Sequence, residues 1–99
     1  MQVHFERSGG FAGLTQKYSV SEDNLPEEDR QKLSDLVAGA RFFDQPPVIR
    51  RKTASADQFQ YKIAVNSGDR AHEVQVDEGA VPDELKPLIG WLQTAARKR

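Results

Sequence analysis

Two stretches near the start of the chain alternate between apolar and polar side chains with a period of two. From Gln2 to Arg7, Val3 and Phe5 fall on one side and Gln2, His4 and Glu6 on the other. From Leu14 to Val20, Leu14, Tyr18 and Val20 share a side opposite Thr15, Lys17 and Ser19, with Gln16 the one polar residue on the inner side. Alternation of this kind marks a strand with one face buried and one in water. Two such strands so close in sequence predict an antiparallel hairpin. The intervening Ser8-Gly9-Gly10-Phe11-Ala12-Gly13 is longer than the usual hairpin loop.

The period then changes. Ser21-Glu22-Asp23-Asn24 reads as a turn and a helix start, with Asn24 placed to cap, Glu27 in capping-box position and Pro26 in the first turn. Glu27, Glu28 and Asp29 suit the positive end of the helix dipole. Leu33, Leu36, Val37 and Ala40 recur at helical spacing, and Gly39 is the expected stop. Arg41 to Ala56 shows no period. Phe42 and Phe43 anchor its start in the core, and Pro46-Pro47 forbids a helix or a central strand there.

Asp57 to Asn66 is the clearest strand, with Phe59, Tyr61, Ile63 and Val65 inward and Gln58, Gln60, Lys62 and Ala64 outward. A tight turn at Asn66-Ser67-Gly68-Asp69 leads into a return strand, Arg70 to Asp77. Val74 and Val76 point inward on it, with His72 on the same side. A last helix carries Leu85, Leu88, Ile89, Leu92 and Ala96 on one stripe, with Trp91 at its edge. This helix is expected to start near Pro82 or Asp83, and Pro87, tolerated only in or near the first turn, argues for the later start. Arg97-Lys98-Arg99 suits its C-terminal dipole. The order predicts an α+β domain spanning 1–99: a four-stranded antiparallel sheet in ββαββα order, two helices on one face, and a polar, wet second face.

Composition narrows the function. With 99 residues, 37% hydrophobic and 29% charged, the chain suits a soluble globular domain with one modest core. A net charge of −1 gives no strong pull toward nucleic acid or an anionic membrane. With no cysteine, disulfides and thiolate metal sites are out of reach. No apolar run is long enough for a signal peptide or a membrane span. The expectation is a cytoplasmic protein, monomeric when free.

No catalytic constellation can be assembled. Ser8 has no base at a recognisable spacing, and His4 and His72 are the only imidazoles. His72-Glu73 lacks the second histidine of a zinc-protease helix. Gly9, Gly10 and Gly13 lack the spacing and the Lys-Ser/Thr pair of a phosphate loop, and they lead into a strand. Phe59 and Tyr61 as base-stacking residues would conflict with an alternation that turns them to the core. The chain is expected to be no enzyme and to need neither cofactor nor metal.

Several stretches together resemble one family: Phe5-Glu6-Arg7-Ser8-Gly9-Gly10-Phe11-Ala12-Gly13, Phe42-Phe43, Asp57-Gln58-Phe59-Gln60-Tyr61, Val81-Pro82 through Leu85-Lys86-Pro87-Leu88, and Trp91-Leu92. The sequence is similar to the emfourin family, small bacterial inhibitors of protealysin and other thermolysin-like zinc metallopeptidases. The likeness covers nearly the whole chain and is most specific at Arg7 to Gly13. It implies a protein partner of that class.

A loop that fills a protease cleft needs an apolar side chain and a backbone able to come close. Ser8, Gly9, Gly10, Phe11, Ala12, Gly13 and Leu14 are therefore the expected protease-binding residues, with Phe11 the natural plug. Two readings of Phe11 stay open: it is offered to a partner, or it caps the sheet core. Leu14 more simply begins the strand. A different use of the domain, as an interaction module or accessory subunit, would employ the Arg41 to Ala56 connection or the polar sheet face. Nucleic-acid binding through the Arg50 and Arg97 clusters is a third, weaker reading.

Overall fold

The computed structural model describes residues 1–9, 15–50 and 59–97. In chain order these form strand β1 (Gln2–Gly9), strand β2 (Gln16–Ser21), helix α1 (Glu27–Gly39), strand β3 (Val48–Ile49), strand β4 (Phe59–Ser67), strand β5 (Arg70–Asp77) and helix α2 (Lys86–Arg97). Short 3-10 turns sit at Glu22–Asn24, Phe42–Asp44 and Glu78–Ala80. The expected residues Gly10, Phe11, Ala12, Gly13 and Leu14 lie outside the described residues, as do 51–58, with the basic Arg51-Lys52 and the expected start of the third strand, and 98–99.

The strands make one five-stranded sheet in the order β2-β1-β4-β5-β3. The two predicted hairpins are present, and they join through β1 and β4 with Val3 opposite Val65 and Phe5 opposite Ile63. Four strands are antiparallel. The expected four-stranded antiparallel sheet is corrected by the fifth, β3, which pairs with β5 in parallel. Two residues are too few to show a period, and they follow Pro46-Pro47. Proline is no obstacle at this edge. Pro47 lacks an N–H, but the ladder asks only for its carbonyl, which accepts from the Gln75 N–H at 2.8 Å.

Between β2 and β3 the chain crosses from one edge of the sheet to the other. Four interstrand steps of about 4.8 Å make that crossing roughly 19 Å, and the 13 residues of α1 suffice at about 1.5 Å each. Leu33, Val37 and Ala40 are buried on its inner face, and Leu36 is half-buried beside them. The α2 residues Leu85 (just ahead of it), Leu88, Ile89 and Leu92 join the same core, against Val3, Phe5, Tyr61, Ile63, Val65, Val74 and Val76 from the sheet. Both helices thus cover one face, as the pattern predicts. The opposite face shows Gln2, His4, Lys62, Glu73 and Gln75 to water.

The ends of α1 differ from expectation. Pro26 occupies the N-cap position without a side-chain cap bond, because Asn24 is taken up in the 3-10 turn that precedes it. Gly39 is the last helical residue. The left-handed position that ends the helix belongs to Arg41, at φ 49° and ψ 46°. Beyond it Gln45 fastens the connection. Its side-chain amide donates to the Ala40 carbonyl at 2.9 Å and to Glu84 Oε1 at 2.8 Å, and its own carbonyl accepts from His72 Nε2 at 2.7 Å. The His72 ring also meets Phe42 edge-on, 5.7 Å between centroids. The turn between β4 and β5 places Gly68 at φ 64°, the positive value its first loop position requires. α2 starts at Lys86, later than the expected Pro82 or Asp83, because turn bonds from Leu85 N–H to the Pro82 carbonyl and from Lys86 N–H to the Asp83 carbonyl precede it; Pro87 lies in its first turn, as expected.

Candidate functional site at the open end of the sheet

Ser8 and Gly9, expected in the loop, are the last residues of β1. The register sets Ser8 opposite Gln60 and Gly9 opposite Phe59 on β4, whereas pairing with β2 stops at Arg7 opposite Gln16. The β1–β2 connection therefore leaves from a strand that is still held on its other side. Gly9 has φ 94°, a backbone conformation that side chains with a Cβ rarely adopt. At least one glycine of the motif is thus required by the backbone path itself.

The side chains around this departure point are tied to the core. The Arg7 guanidinium lies 3.7 Å from the centre of the Phe59 ring, a cation–π contact that joins the end of β1 to the start of β4. Its Nε is buried and has no hydrogen-bond partner among the described residues. One step inward, Tyr61 stacks on Phe5 at 6.0 Å, and its hydroxyl accepts from Gln93 of α2 at 3.3 Å. Arg7 and Phe59 both belong to the motif stretches read from the sequence, but their contact needs the β1–β4 register, which no sequence period reveals.

The same end of the sheet holds Val48, Ile49 and Arg50 of the second stretch singled out in the sequence. Gln60 faces Asp77 across β4 and β5, and Ile49 faces Val76 across β3 and β5. One groove on the polar face is lined in part by Ser8, Gln60, Gln75 and Asp77 together with Val48 and Arg50. The flanks of 10–14 and of 51–58 meet directly, since Gly9 and Phe59 are partners.

The two histidines lie elsewhere. His4 Nδ1 meets Ser19 Oγ at 2.7 Å as a cross-strand pair on the exposed sheet face. Nucleophilic catalysis needs an orienting third group and preorganised oxyanion donors, and the contact lies on an open face. His72 is a structural donor to Gln45. Among the described residues no three His, Cys, Asp or Glu side chains could together hold a metal ion, and no helix is long and apolar enough to cross a membrane.

Comparison with protein-family models gives a match to Emfourin over residues 5–93. No curated protein and no solved structure matches the chain.

Proposed function

This chain belongs to the Emfourin family, a family of protease inhibitors, and from that premise we propose that it inhibits a thermolysin-like zinc metallopeptidase by placing residues 8–14 in the active-site cleft. The observation that carries the reading is the fixed exit of that segment. Ser8 and Gly9 are held in the β1–β4 ladder, and Arg7 is clamped over Phe59. A protease cuts a peptide it can bring into near-attack geometry. A segment anchored in a sheet at its departure can occupy the cleft while its carbonyl stays short of that geometry.

In this reading Phe11 fills the apolar pocket beside the scissile position, and Gly10 and Gly13 let the backbone approach the cleft floor. The zinc belongs to the protease. The inhibitor brings surface shape and hydrogen-bonding groups and carries out no chemistry of its own.

The test is to titrate the protein into a thermolysin-like peptidase and follow cleavage of a short peptide substrate. The expected result is stoichiometric loss of activity that a competing active-site ligand reverses. The loop's own contribution, read from the dissociation rate, should change little with salt, since an apolar plug gains nothing from counterion release. Full protease activity at a large excess of the protein would reject the proposal.

A further inference from the structure

We infer that the protease contact extends beyond the loop to β3 and the residue that follows it, where Val48 and Arg50 form a second point of attachment on the rim of the same cleft; the inference rests on the protease reading above. Four observations lead to it. First, size: a stable protein interface takes about 20–30 residues from each side, and residues 8–14 supply seven. Surface adjoining the loop has to take part.

Second, position. The row Ser8, Gln60, Asp77 runs across β1, β4 and β5 at the end where the loop departs, and Val48 and Ile49 pair alongside at Gln75 and Val76. From β1 to β3 is three interstrand steps, about 14 Å. Third, the surface between them is a single groove running from Ser8 to Val48 and Arg50 on the face turned away from both helices.

Fourth, the chemistry of β3 is unused inside the fold. Val48 is 45% exposed and is the one exposed large hydrophobic residue among those described. Ile49, its neighbour, already packs against the core, so Val48 is not needed to seat the strand. Arg50 is exposed and makes no hydrogen bond or ion pair with the described residues. An apolar side chain next to a planar cation, both solvent-facing at the edge of an interface, fits a partner rim that offers an apolar patch flanked by carboxylates. Arginine in that role steers encounter and gives a salt-dependent on-rate, whereas the apolar contact acts on dissociation.

The experiment uses the intact protein and the peptidase that it inhibits. Val48→Asp and Arg50→Glu are compared with Ala71→Asp, an exposed control at the far end of the same sheet face. Thermal midpoints should be unchanged in all three. Val48→Asp is expected to weaken inhibition by ten-fold or more through faster dissociation. Arg50→Glu is expected to slow association several-fold at low salt, with the difference shrinking as salt rises. The control should inhibit like the parent. If the parent inhibits and both β3 variants match it within two-fold, the second contact is wrong and the loop alone suffices. If the parent fails to inhibit, both proposals fall together.

Discussion

Two residues at the end of α1 are used against their propensities. Gly39 sits inside the last turn, where a Cβ would meet nothing within 4 Å. Arg41, two residues on, holds the left-handed conformation that glycine adopts without strain. Gly39→Ala should therefore stabilise the domain by about 0.5–1 kcal/mol in denaturant unfolding. Arg41→Val should cost about 1–2 kcal/mol, because a β-branched residue fits that conformation poorly. The sequence showed a stop in this region but not its address. Glycine was the natural candidate, and only the φ values assign the turn to arginine. Gln45 was equally illegible, since nothing local marks a glutamine that joins Ala40, Glu84 and His72. Gln45→Ala should cost about 1–3 kcal/mol by leaving the Ala40 carbonyl without its donor. An exposed neighbour such as Asp44→Ala should change stability little. At the start of α2, the hydrogen bond and charge of Lys86 hold the Asp83 carboxyl below its ordinary pKa. A depressed folded-state pKa gives a contribution present at neutral pH and lost as acidification passes that lowered value. Both groups are exposed, so the pair is a minor term.

Among the elements, those with a repeating period were legible and those without one were not. β1, β4, β5 and α2 each carry three or more alternating or helically spaced apolar residues, or two flanked by clear turns. The structure buries Val3 and Phe5, Tyr61, Ile63 and Val65, Val74 and Val76, and Leu88, Ile89 and Leu92 accordingly. β3 was missed because pairing of two residues depends on a partner strand far along the chain. The capping of α1 is not legible in the sequence because Asn24 has two local options, and the preceding turn takes it. The candidate site was legible only as a motif. Its departure from a strand end came from the β1–β4 register. This arrangement predicts a gradient of amide-exchange protection. Buried β4 amides between β1 and β5 should exchange slowest, near the global unfolding limit, and those of the edge strands β2 and β3 should exchange faster. Ile63→Ala in β4 should cost about 2–5 kcal/mol, while Val48→Ala at the exposed edge should cost far less. Equal protection across all five strands would contradict the placement of β4 at the centre.

The molecule as a whole separates support from presentation. Both helices pack against one face of the sheet and close a single core. At one end of that sheet Gly9 and Phe59, the described residues next to 10–14 and 51–58, are partners. The anchor residues Arg7, Phe59 and Tyr61 link that end to β1, β4 and α2. Calorimetric titration of the free protein with zinc should show no stoichiometric submicromolar binding, because the described residues bring no three ligands together. The account's central claim is that the glycine-rich segment is the wedge, and inhibition constants for Phe11→Ala and Gly10→Val against a thermolysin-like peptidase test it most directly. Each variant is first matched to the parent in thermal midpoint, so that loss of fold is not mistaken for loss of contact. Truncating a buried aromatic anchor typically costs about 2–4 kcal/mol, so Phe11→Ala should weaken inhibition by roughly 30-fold or more. Gly10→Val should weaken it with the ring still in place, because the added side chain blocks the backbone's approach. Folded variants that both inhibit as tightly as the parent would contradict the claim and move the contact away from the loop.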